Sequence, residues 1–361
     1  MIDLRSDTFT QPTPAMREHI SRAEVGDDYY GEDKSANRLE DYCKELFHKE
    51  AAIFTTSGML SNQLAVATQV TPGNEVVTEY NYHLNLYESA QYASLCGVLI
   101  NGRETKDGVL RVADVETAIA SKPRESVYAQ VELIAVENTI NHRQGRIFPF
   151  AELEALRAFS ASNNLRLHLD GARLFHAHVV NGIPLHEYAQ QADTVNVCFS
   201  KGLGAPFGSM LLGPREVVDK ARRLRVWHGS GFHQIGIYAE AAYYALTHHL
   251  ESLAEDHRLT RLLAEELARR TNLGIDPQAI ETNMIFIDLD TLGCEPEEFE
   301  TYCRDQGLLL LGFPPRMARL VVCRNVNESD VLRAAEILAR VSEHFIGKRE
   351  TNHVERITAT A

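Results

Sequence analysis

The chain has 361 residues, 44% of them hydrophobic and 24% charged, and a formal net charge of −14. This length exceeds the roughly 250–300 residues at which a single core stops growing, so we expect two domains. The negative charge disfavours nucleic acid and anionic membranes as partners, and no apolar run is long enough to span a bilayer. Small metabolites are the expected partners.

The first residues, MIDLRSDTFT, carry Asp3 and Asp7 where a signal peptide would need a basic and then an apolar run. We therefore expect a cytoplasmic protein. The six cysteines show no paired short spacing, which argues against a zinc site and against a disulfide framework. We expect them to be reduced core residues.

In chain order, the first two thirds of the chain alternate short β-rich runs with helical patterns. The predicted strands are AAIFTT (51–56), EVVTEY (75–80), GVLIN (97–101), ELIAVE (132–137), LRLHLD (165–170), TVNVCFS (194–200) and SMLLG (209–213). Strands that alternate with helices predict an α/β fold with a mostly parallel, doubly wound sheet. Such a sheet binds its ligands at the carboxyl ends of its strands.

A long helical pattern at 237–270 then predicts a connector to a small C-terminal α+β domain. That domain has MIFIDLD, LLLLGF and RLVVCR as strands and SDVLRAAEILARVSEHF as a helix. We predict an N-terminal segment at 1–14, a large domain at 15–240, a small domain at 241–346 and a loose polar tail at 347–361.

Two residues at the ends of predicted strands have the chemistry that a pyridoxal cofactor requires. Asp170 ends the strand LRLHLD, and Lys201 follows the strand TVNVCFS. The cofactor needs a lysine amine for a Schiff base and a carboxylate that keeps its pyridine nitrogen protonated. Taken alone, however, the two residues fit better with a solvated loop lysine and a helix N-cap.

Further residues fit a phosphate and a closely approached ring. Ser57 and Gly58 lie between a predicted strand and a helix, where free amides bind anions. Ser200 is a second candidate phosphate ligand. Glycines after Lys201 would let the backbone pass close to the ring; these are Gly202, Gly204 and Gly208.

Four longer motifs carry a family resemblance over about residues 2–345. IDLRSDTFTQPTPAMR, AEVGDDYYGED, HLDGARL and SKGLGAPFGS resemble the low-specificity L-threonine aldolases of the β-eliminating lyase group. The resemblance implies pyridoxal 5′-phosphate as cofactor, fold type I, and the aspartate aminotransferase-like fold of PLP-dependent transferases. It also implies a homo-oligomer, at least a dimer and in this family a tetramer.

The resemblance also implies a role for individual residues. Lys201 would be the Schiff-base lysine, Asp170 would pair with the ring nitrogen, and His83 would stack on the ring near the substrate's β-hydroxyl, where an imidazole suits proton transfer. The other implied cofactor ligands are Ser57, Gly58, Met59, Arg173 and Ser200. The substrate carboxylate would be bound by Ser6, Arg173 and Arg319, and Tyr30 would enter a neighbouring subunit's active site.

A metallohydrolase is the competing interpretation of the histidines near Asp170. His168, His176 and His178 form HxD and HAH patterns, which are compatible with metal ligation. We rank this interpretation lower, because the lysine and phosphate motifs explain Asp170 without a metal.

Departures from the family pattern cluster near the substrate. Ile140 stands where these aldolases have a histidine, and isoleucine cannot accept a proton from a β-hydroxyl. Met59 replaces a threonine of the phosphate turn, His176 replaces an asparagine, and His233 replaces an arginine. His83 or His142 would have to substitute for the missing histidine.

The sequence therefore predicts a lyase that cleaves a β-hydroxy-α-amino acid, with threonine or allo-threonine as the default, to glycine and an aldehyde. Because of Ile140 and His233, β-elimination, transaldol exchange or racemisation on the same scaffold is the alternative. A non-enzymatic or metal-dependent protein of the same fold is the third possibility.

Overall fold

The structure is a computed structural model that describes residues 1–360, with side chains through residue 349. Its strands are β1 (Ile2–Asp3), β2 (Ala51–Thr55), β3 (Glu75–Glu79), β4 (Leu99–Arg103), β5 (Val131–Glu137), β6 (Arg166–Gly171), β7 (Thr194–Cys198), β8 (Ser209–Gly213), β9 (Met284–Asp288), β10 (Leu308–Leu309), β11 (Leu311–Phe313) and β12 (Met317–Val321).

The α-helices, in chain order, are α1 (Pro14–Ile20), α2 (Lys34–Phe47), α3 (Gly58–Gln69), α4 (His83–Leu86), α5 (Ser89–Gln91), α6 (Val112–Ala120), α7 (Phe150–Ser162), α8 (Leu174–Asn181), α9 (Leu185–Gln190), α10 (Arg215–Trp227), α11 (Gly236–His248), α12 (Leu253–Arg270), α13 (Pro296–Asp305) and α14 (Glu328–Thr360). None of the helices within residues 1–360 is long and apolar enough to cross a membrane.

The seven strands predicted in the first two thirds of the chain form one sheet in the order β2-β8-β7-β6-β5-β3-β4. β8 runs antiparallel to both of its neighbours, β2 and β7, and the other six strands all point the same way. Most of these strands are buried along their length, as expected for a parallel sheet covered by helices on both faces. The predicted α/β fold is confirmed.

The chain divides into two compact units. The larger unit spans Pro12–Glu251, and the smaller unit combines Met1–Gln11 with the chain from Ser252 onward. This division differs from the predicted boundaries at 14 and 240. Helix α11 packs on α1 and α2 and so belongs to the larger unit, whereas β1 pairs with β10 and so belongs to the smaller one.

The helical pattern at 237–270 is two helices rather than one connector. Helix α11 ends at His248 and α12 begins at Leu253. Between them, the buried His249 donates from Nδ1 to the carbonyl oxygen of Leu203, 2.8 Å away. Periodicity alone could not show this break, because apolar residues continue at helical spacing across it.

The smaller unit contains the antiparallel sheet β11-β12-β9 and the parallel pair β1-β10. Residues of β1, β9, β10 and β12 and of α12, α13 and α14 share one apolar core. Helix α14 continues to Thr360 through most of the predicted loose tail, and Ala361, the last residue of that tail, lies outside the described residues. All six cysteines are buried, and no disulfide is present in the described part of the chain.

Candidate active site

Side chains from five strand ends surround a cavity of about 120 Å³ at one edge of the large sheet. Strands β2, β3, β5, β6 and β7 are parallel, so their carboxyl ends lie at the same edge. The cavity is lined by Gly58, Met59, Asn62, His83, Glu88, Glu137, Thr139, Asn141, Asp170, Ala172, Arg173, Asn196 and Lys201.

Asp170, near the end of β6, is buried and accepts three hydrogen bonds. Its Oδ2 accepts from Asn62 Nδ2 at 2.8 Å, and its Oδ1 accepts from Asn196 Nδ2 at 3.0 Å and from the Ala172 backbone N–H at 3.1 Å. These donors lie on three different elements. The carboxylate is thus held in one orientation at the cavity wall.

Lys201 lines the same cavity from the turn that follows β7. The glycines around it permit this turn: Gly204 has a φ of 78° and Gly208 a φ of 97°, in the left-handed region that glycine adopts without strain. A Cβ at Gly208 would overlap the Phe54 ring, so this position also requires a residue without a side chain. The structure therefore brings Lys201 and Asp170 together, as the sequence predicts.

His83 begins the short helix α4 after β3, and Glu88 fixes its ring. His83 Nδ1 lies 2.6 Å from Glu88 Oε1, and the Glu88 side chain is fully buried. Burial opposes a charge on the imidazole, yet the hydrogen bond and the negative charge of Glu88 outweigh it and raise the pKa of His83. Because a carboxylate only accepts, Nδ1 carries a proton and Nε2 remains as the titrating nitrogen.

Glu137, the last residue of β5, pairs in register with Asp170 on β6. Its two oxygens accept from the backbone N–H groups of His83 at 2.6 Å and Asn141 at 2.7 Å, so it ties two site loops together. Burial, and then the nearby charge of Asp170, raise the pKa of Glu137. This strand-end acid therefore keeps its proton to a higher pH than an exposed glutamate does.

The turn before α3 presents a helix N-terminus to the cavity. Ser57 Oγ accepts from the Leu60 backbone N–H at 3.2 Å and caps the helix. The N–H groups of Gly58 and Met59 belong to the first turn, which has no partners within a helix. Ser57 and Ser200 are not among the residues found lining the cavity; Ser200 Oγ lies 3.4 Å from Cys198 Sγ.

The remaining candidate arginines lie on different units. Arg173 is buried in the larger unit and lines the cavity. Arg319, on β12 of the smaller unit, is buried, donates from Nη2 to the Arg5 carbonyl oxygen at 3.3 Å, and stacks over Phe313. Since Ser6 follows Arg5, the smaller unit brings Ser6 and Arg319 together.

Tyr30 does not line the cavity of its own chain. Its side chain is 73% exposed, at the end of the short 3₁₀ turn Asp28–Tyr30. The Asp28 backbone N–H donates to the His233 carbonyl oxygen at 2.9 Å, and His233 Nδ1 lies 2.8 Å from Asp27 Oδ2. The exposed Tyr30 and His233 therefore share one surface.

Ile140 is fully buried, forms a β-bridge with Arg146, and does not line the cavity. Its neighbours Thr139 and Asn141 do. His142 Nε2 lies 2.9 Å from the Tyr87 hydroxyl, whose ring packs against that of His83. Ile140 is therefore part of the core.

The histidines of the competing metal interpretation have other partners. His168 contacts Thr194 Oγ1 through Nδ1 at 2.8 Å and Asn62 Oδ1 through Nε2 at 3.1 Å. His178 Nδ1 donates to the Ile183 carbonyl oxygen at 2.8 Å. The described residues contain no group of three or more His, Cys, Asp or Glu side chains placed to hold a metal.

Several residues of the site escaped the sequence analysis, namely Asn62, Glu88, Glu137, Thr139, Asn141 and Asn196. Spacing could have indicated two of them. Asn62 follows Gly58 by one helical turn, and Glu137 ends a buried strand as Asp170 nearly does. The remaining ones come close only through tertiary packing.

A family model described as beta-eliminating lyase matches residues 3–290. Low-specificity L-threonine aldolase 1 of Arabidopsis thaliana is 37% identical over 333 residues, which cover 91% of this chain and 93% of the relative. The low specificity L-threonine aldolase of Escherichia coli K12 is 37% identical over 346 residues, covering 96% and 98%.

Solved structures with lower identity share the fold. Threonine aldolase from Leishmania major superposes with a TM-score of 0.80 at 20% identity and covers 95% of this chain and 100% of its own. A structure described as SPT with PLP superposes at 0.71 with 17% identity, covering 95% and 88%. At these identities the likeness concerns the fold alone.

Proposed function

Because the chain belongs to the beta-eliminating lyase family, with low-specificity L-threonine aldolases among its relatives, we propose that it is a PLP-dependent lyase that cleaves a β-hydroxy-α-amino acid to glycine and an aldehyde. The observation that carries this proposal is the meeting of Lys201 and Asp170 in one cavity with Arg173 and His83.

The cavity residues fit pyridoxal 5′-phosphate. Lys201 supplies an amine and Asp170 a fixed acceptor for the ring nitrogen. The Thr139 hydroxyl and Asn196 Oδ1 are buried at the cavity without a hydrogen-bond partner, which suits a polar ligand. A side chain in place of Gly58 would crowd Asn196, because a Cβ at position 58 would lie 3.3 Å from Asn196 Nδ2. When bound, the cofactor supplies an electron sink for the breaking Cα–Cβ bond.

We assign the phosphate to the N-terminus of α3. The amides of Gly58 and Met59 have no partner within the helix, and the helix dipole adds a partial positive charge there. Met59 lacks the hydroxyl of the family's threonine, so backbone N–H groups carry this contact. Ser57 stabilises the turn by capping, and Ser200 is a further phosphate ligand in this proposal.

Arginines orient the substrate in this proposal. Arg173 at the cavity binds the amino acid's carboxylate through its planar fork. Ser6 and Arg319, which lie together on the smaller unit, are the other carboxylate ligands. A carboxylate held at fixed points lets the enzyme present one bond of Cα for cleavage and exclude the others.

His83 is the proposed acceptor of the β-hydroxyl proton. Since Glu88 engages Nδ1, the lone pair of the neutral imidazole lies on Nε2. The raised pKa of His83 makes this nitrogen a stronger base than an unperturbed histidine. Retro-aldol cleavage then needs no histidine at position 140, where the side chain belongs to the core.

Incubation of the purified protein with L-threonine, L-allo-threonine and phenylserine tests this function. We expect glycine and the matching aldehyde, and a yellow protein whose colour is lost in Lys201→Ala. Loss of substrate without aldehyde would favour β-elimination or racemisation instead. A colourless protein that takes up no added cofactor would refute the proposal altogether.

We further propose a homo-oligomer, at least a dimer and by family resemblance a tetramer, in which Tyr30 serves the neighbouring subunit's site. Tyr30 is 73% exposed on a turn that the ion pair between Asp28 and Arg225 anchors, which supports this proposal. Mixing Tyr30→Ala subunits with Lys201→Ala subunits should restore activity, because one site of each mixed dimer is then intact. If no activity is recovered, Tyr30 does not contribute to the neighbouring subunit's site.

The expected cytoplasmic location stays a prediction.

A further inference from the structure

Asn62, one helical turn into α3, lies between two buried carboxylates of the candidate active site, Asp170 and Glu88. Its Nδ2 donates to Asp170 Oδ2 at 2.8 Å and to Glu88 Oε1 at 3.1 Å. Glu88 Oε1 is also the atom that holds His83 Nδ1. One amide group therefore connects the Asp170 carboxylate with the Glu88–His83 pair.

The orientation of this amide follows from its partners. Both carboxylates can only accept, so Nδ2 must face them and Oδ1 must face His168. Burial lowers the pKa of His168, so the ring is neutral and its Nε2 donates to Asn62 Oδ1. His168 Nδ1 then accepts from the Thr194 hydroxyl, 2.8 Å away.

The chain of donors continues away from the cavity. Thr194 Oγ1 accepts from Gln69 Nε2 at 2.8 Å, which leaves its own proton for His168. Each hydrogen bond from Gln69 Nε2 to Asp170 Oδ2 thus has one defined donor and one defined acceptor. Asn62, His168 and Thr194 are buried, so water does not compete for these bonds.

We propose that Asn62 is a positioning residue that sets Asp170 and His83 relative to each other, and that His168 holds the Asn62 amide in place. The catalytic role of this arrangement rests on the proposed function. The hydrogen bonds themselves belong to the cofactor-free protein. Without Asn62, Asp170 Oδ2 and Glu88 Oε1 would lose their shared donor, and the position of one carboxylate would no longer be tied to that of the other.

Two matched variants test the proposal, Asn62→Leu and Gln63→Leu. The residues are adjacent in α3 and both buried, and the substitutions remove similar amides. Gln63, however, donates to neither carboxylate. Gln63→Leu therefore controls for the loss of a buried amide in α3, and only Asn62→Leu should affect the carboxylates.

The first measurement is urea unfolding of the cofactor-free variants at one pH. Asn62→Leu removes a donor from two buried carboxylates, whereas Gln63→Leu removes none from them. A hydrogen bond to an ionised carboxylate is roughly twice as strong as a neutral one, so Asn62→Leu should lower the free energy of unfolding about twice as much as Gln63→Leu.

The second measurement is the cofactor's dissociation constant, followed by absorbance. We expect Asn62→Leu to raise it about tenfold or more, which is about 1.4 kcal/mol, and to shift the pH at which the bound cofactor's absorbance changes. Gln63→Leu should change neither by more than about twofold. Equal behaviour of the two variants in both measurements would overturn the inference.

Variants of His168 keep the test decisive if Asn62→Leu fails to fold. His168→Gln retains a donor toward Asn62 Oδ1 and should bind the cofactor as the wild type does, whereas His168→Leu should bind it more weakly. Equal binding by these two variants would count against the proposal. A wild-type protein that binds no cofactor would instead refute the proposed function, and the unfolding measurement would still test Asn62.

Discussion

The buried ion pair between Arg225 and Asp28 should be among the contacts of the larger unit that are most costly to break. The two side chains are only 2% and 4% exposed, and Arg225 Nη1 also donates to the Phe54 carbonyl oxygen at 2.7 Å. Arg225→Met keeps the volume but leaves Asp28 as an unpaired buried charge. Removing one partner of such a pair costs about 3–5 kcal/mol.

Arg22→Met is the matched control for this change. Arg22, just beyond the end of α1, pairs with Glu18, but the side chains are 74% and 66% exposed. Such an exposed pair contributes about 0.2–1 kcal/mol. The same substitution should therefore cost several kcal/mol at one site and almost nothing at the other.

Urea unfolding of the cofactor-free protein provides the measurement. The single tryptophan, Trp227, lies in α10 with Arg225, so its fluorescence reports on this region, and far-UV circular dichroism reports on the whole chain. Adding Asp28→Leu to Arg225→Met should recover part of the loss, because no buried charge then remains unpaired. If Arg225→Met costs no more than Arg22→Met, the burial argument is wrong.

Three further predictions concern protonation and backbone conformation. Glu88→Gln should lower the pKa of His83 in an NMR titration, since Glu88 is what raises it; an unchanged value would contradict the assigned contact. Gly208→Ala should cost about 2–4 kcal/mol of unfolding free energy, because its positive φ disfavours a side chain and its Cβ would overlap an aromatic ring. Gly73→Ala, with a similar φ in open space, should cost about 1 kcal/mol, and equal costs would refute the overlap. Burial raises the pKa of Asp256 to about 8, so its protonated form stabilises the fold at low pH, and this contribution is lost as pH rises toward 8. Asp256→Asn should therefore gain stability relative to the wild type between pH 5 and pH 8, and a difference independent of pH would contradict this.

The strands of the large sheet could be predicted because each is a short, buried β-rich run between turn residues. The residues at their ends followed from the same pattern, since parallel strands place their carboxyl ends together. Lys201 and Asp170 were found in this way, and they do line one cavity. Their roles stay predictions until the cofactor is observed.

The break between α11 and α12 and the division of the chain at 251 could not be predicted. Both depend on where a side chain such as His249 finds its partner and on which helices pack together. Neither property leaves a periodic trace in the sequence. The buried position of Ile140 could not be predicted for the same reason, because the sequence of a strand-end loop does not tell which of its residues faces the cavity.

Local sequence by itself determined the fold class and the seven strands of the sheet, because these depend on residue type and spacing; it offered Lys201 and Asp170 as candidates, which the longer family motifs then supported. Tertiary structure alone decided that Asn62 joins Asp170 to Glu88, and that Glu88 orients His83. These contacts join α3, β6 and the segment after β3, which are far apart in the chain. Hydrogen bonds of this kind depend on angstrom-scale distances that only the packed fold defines.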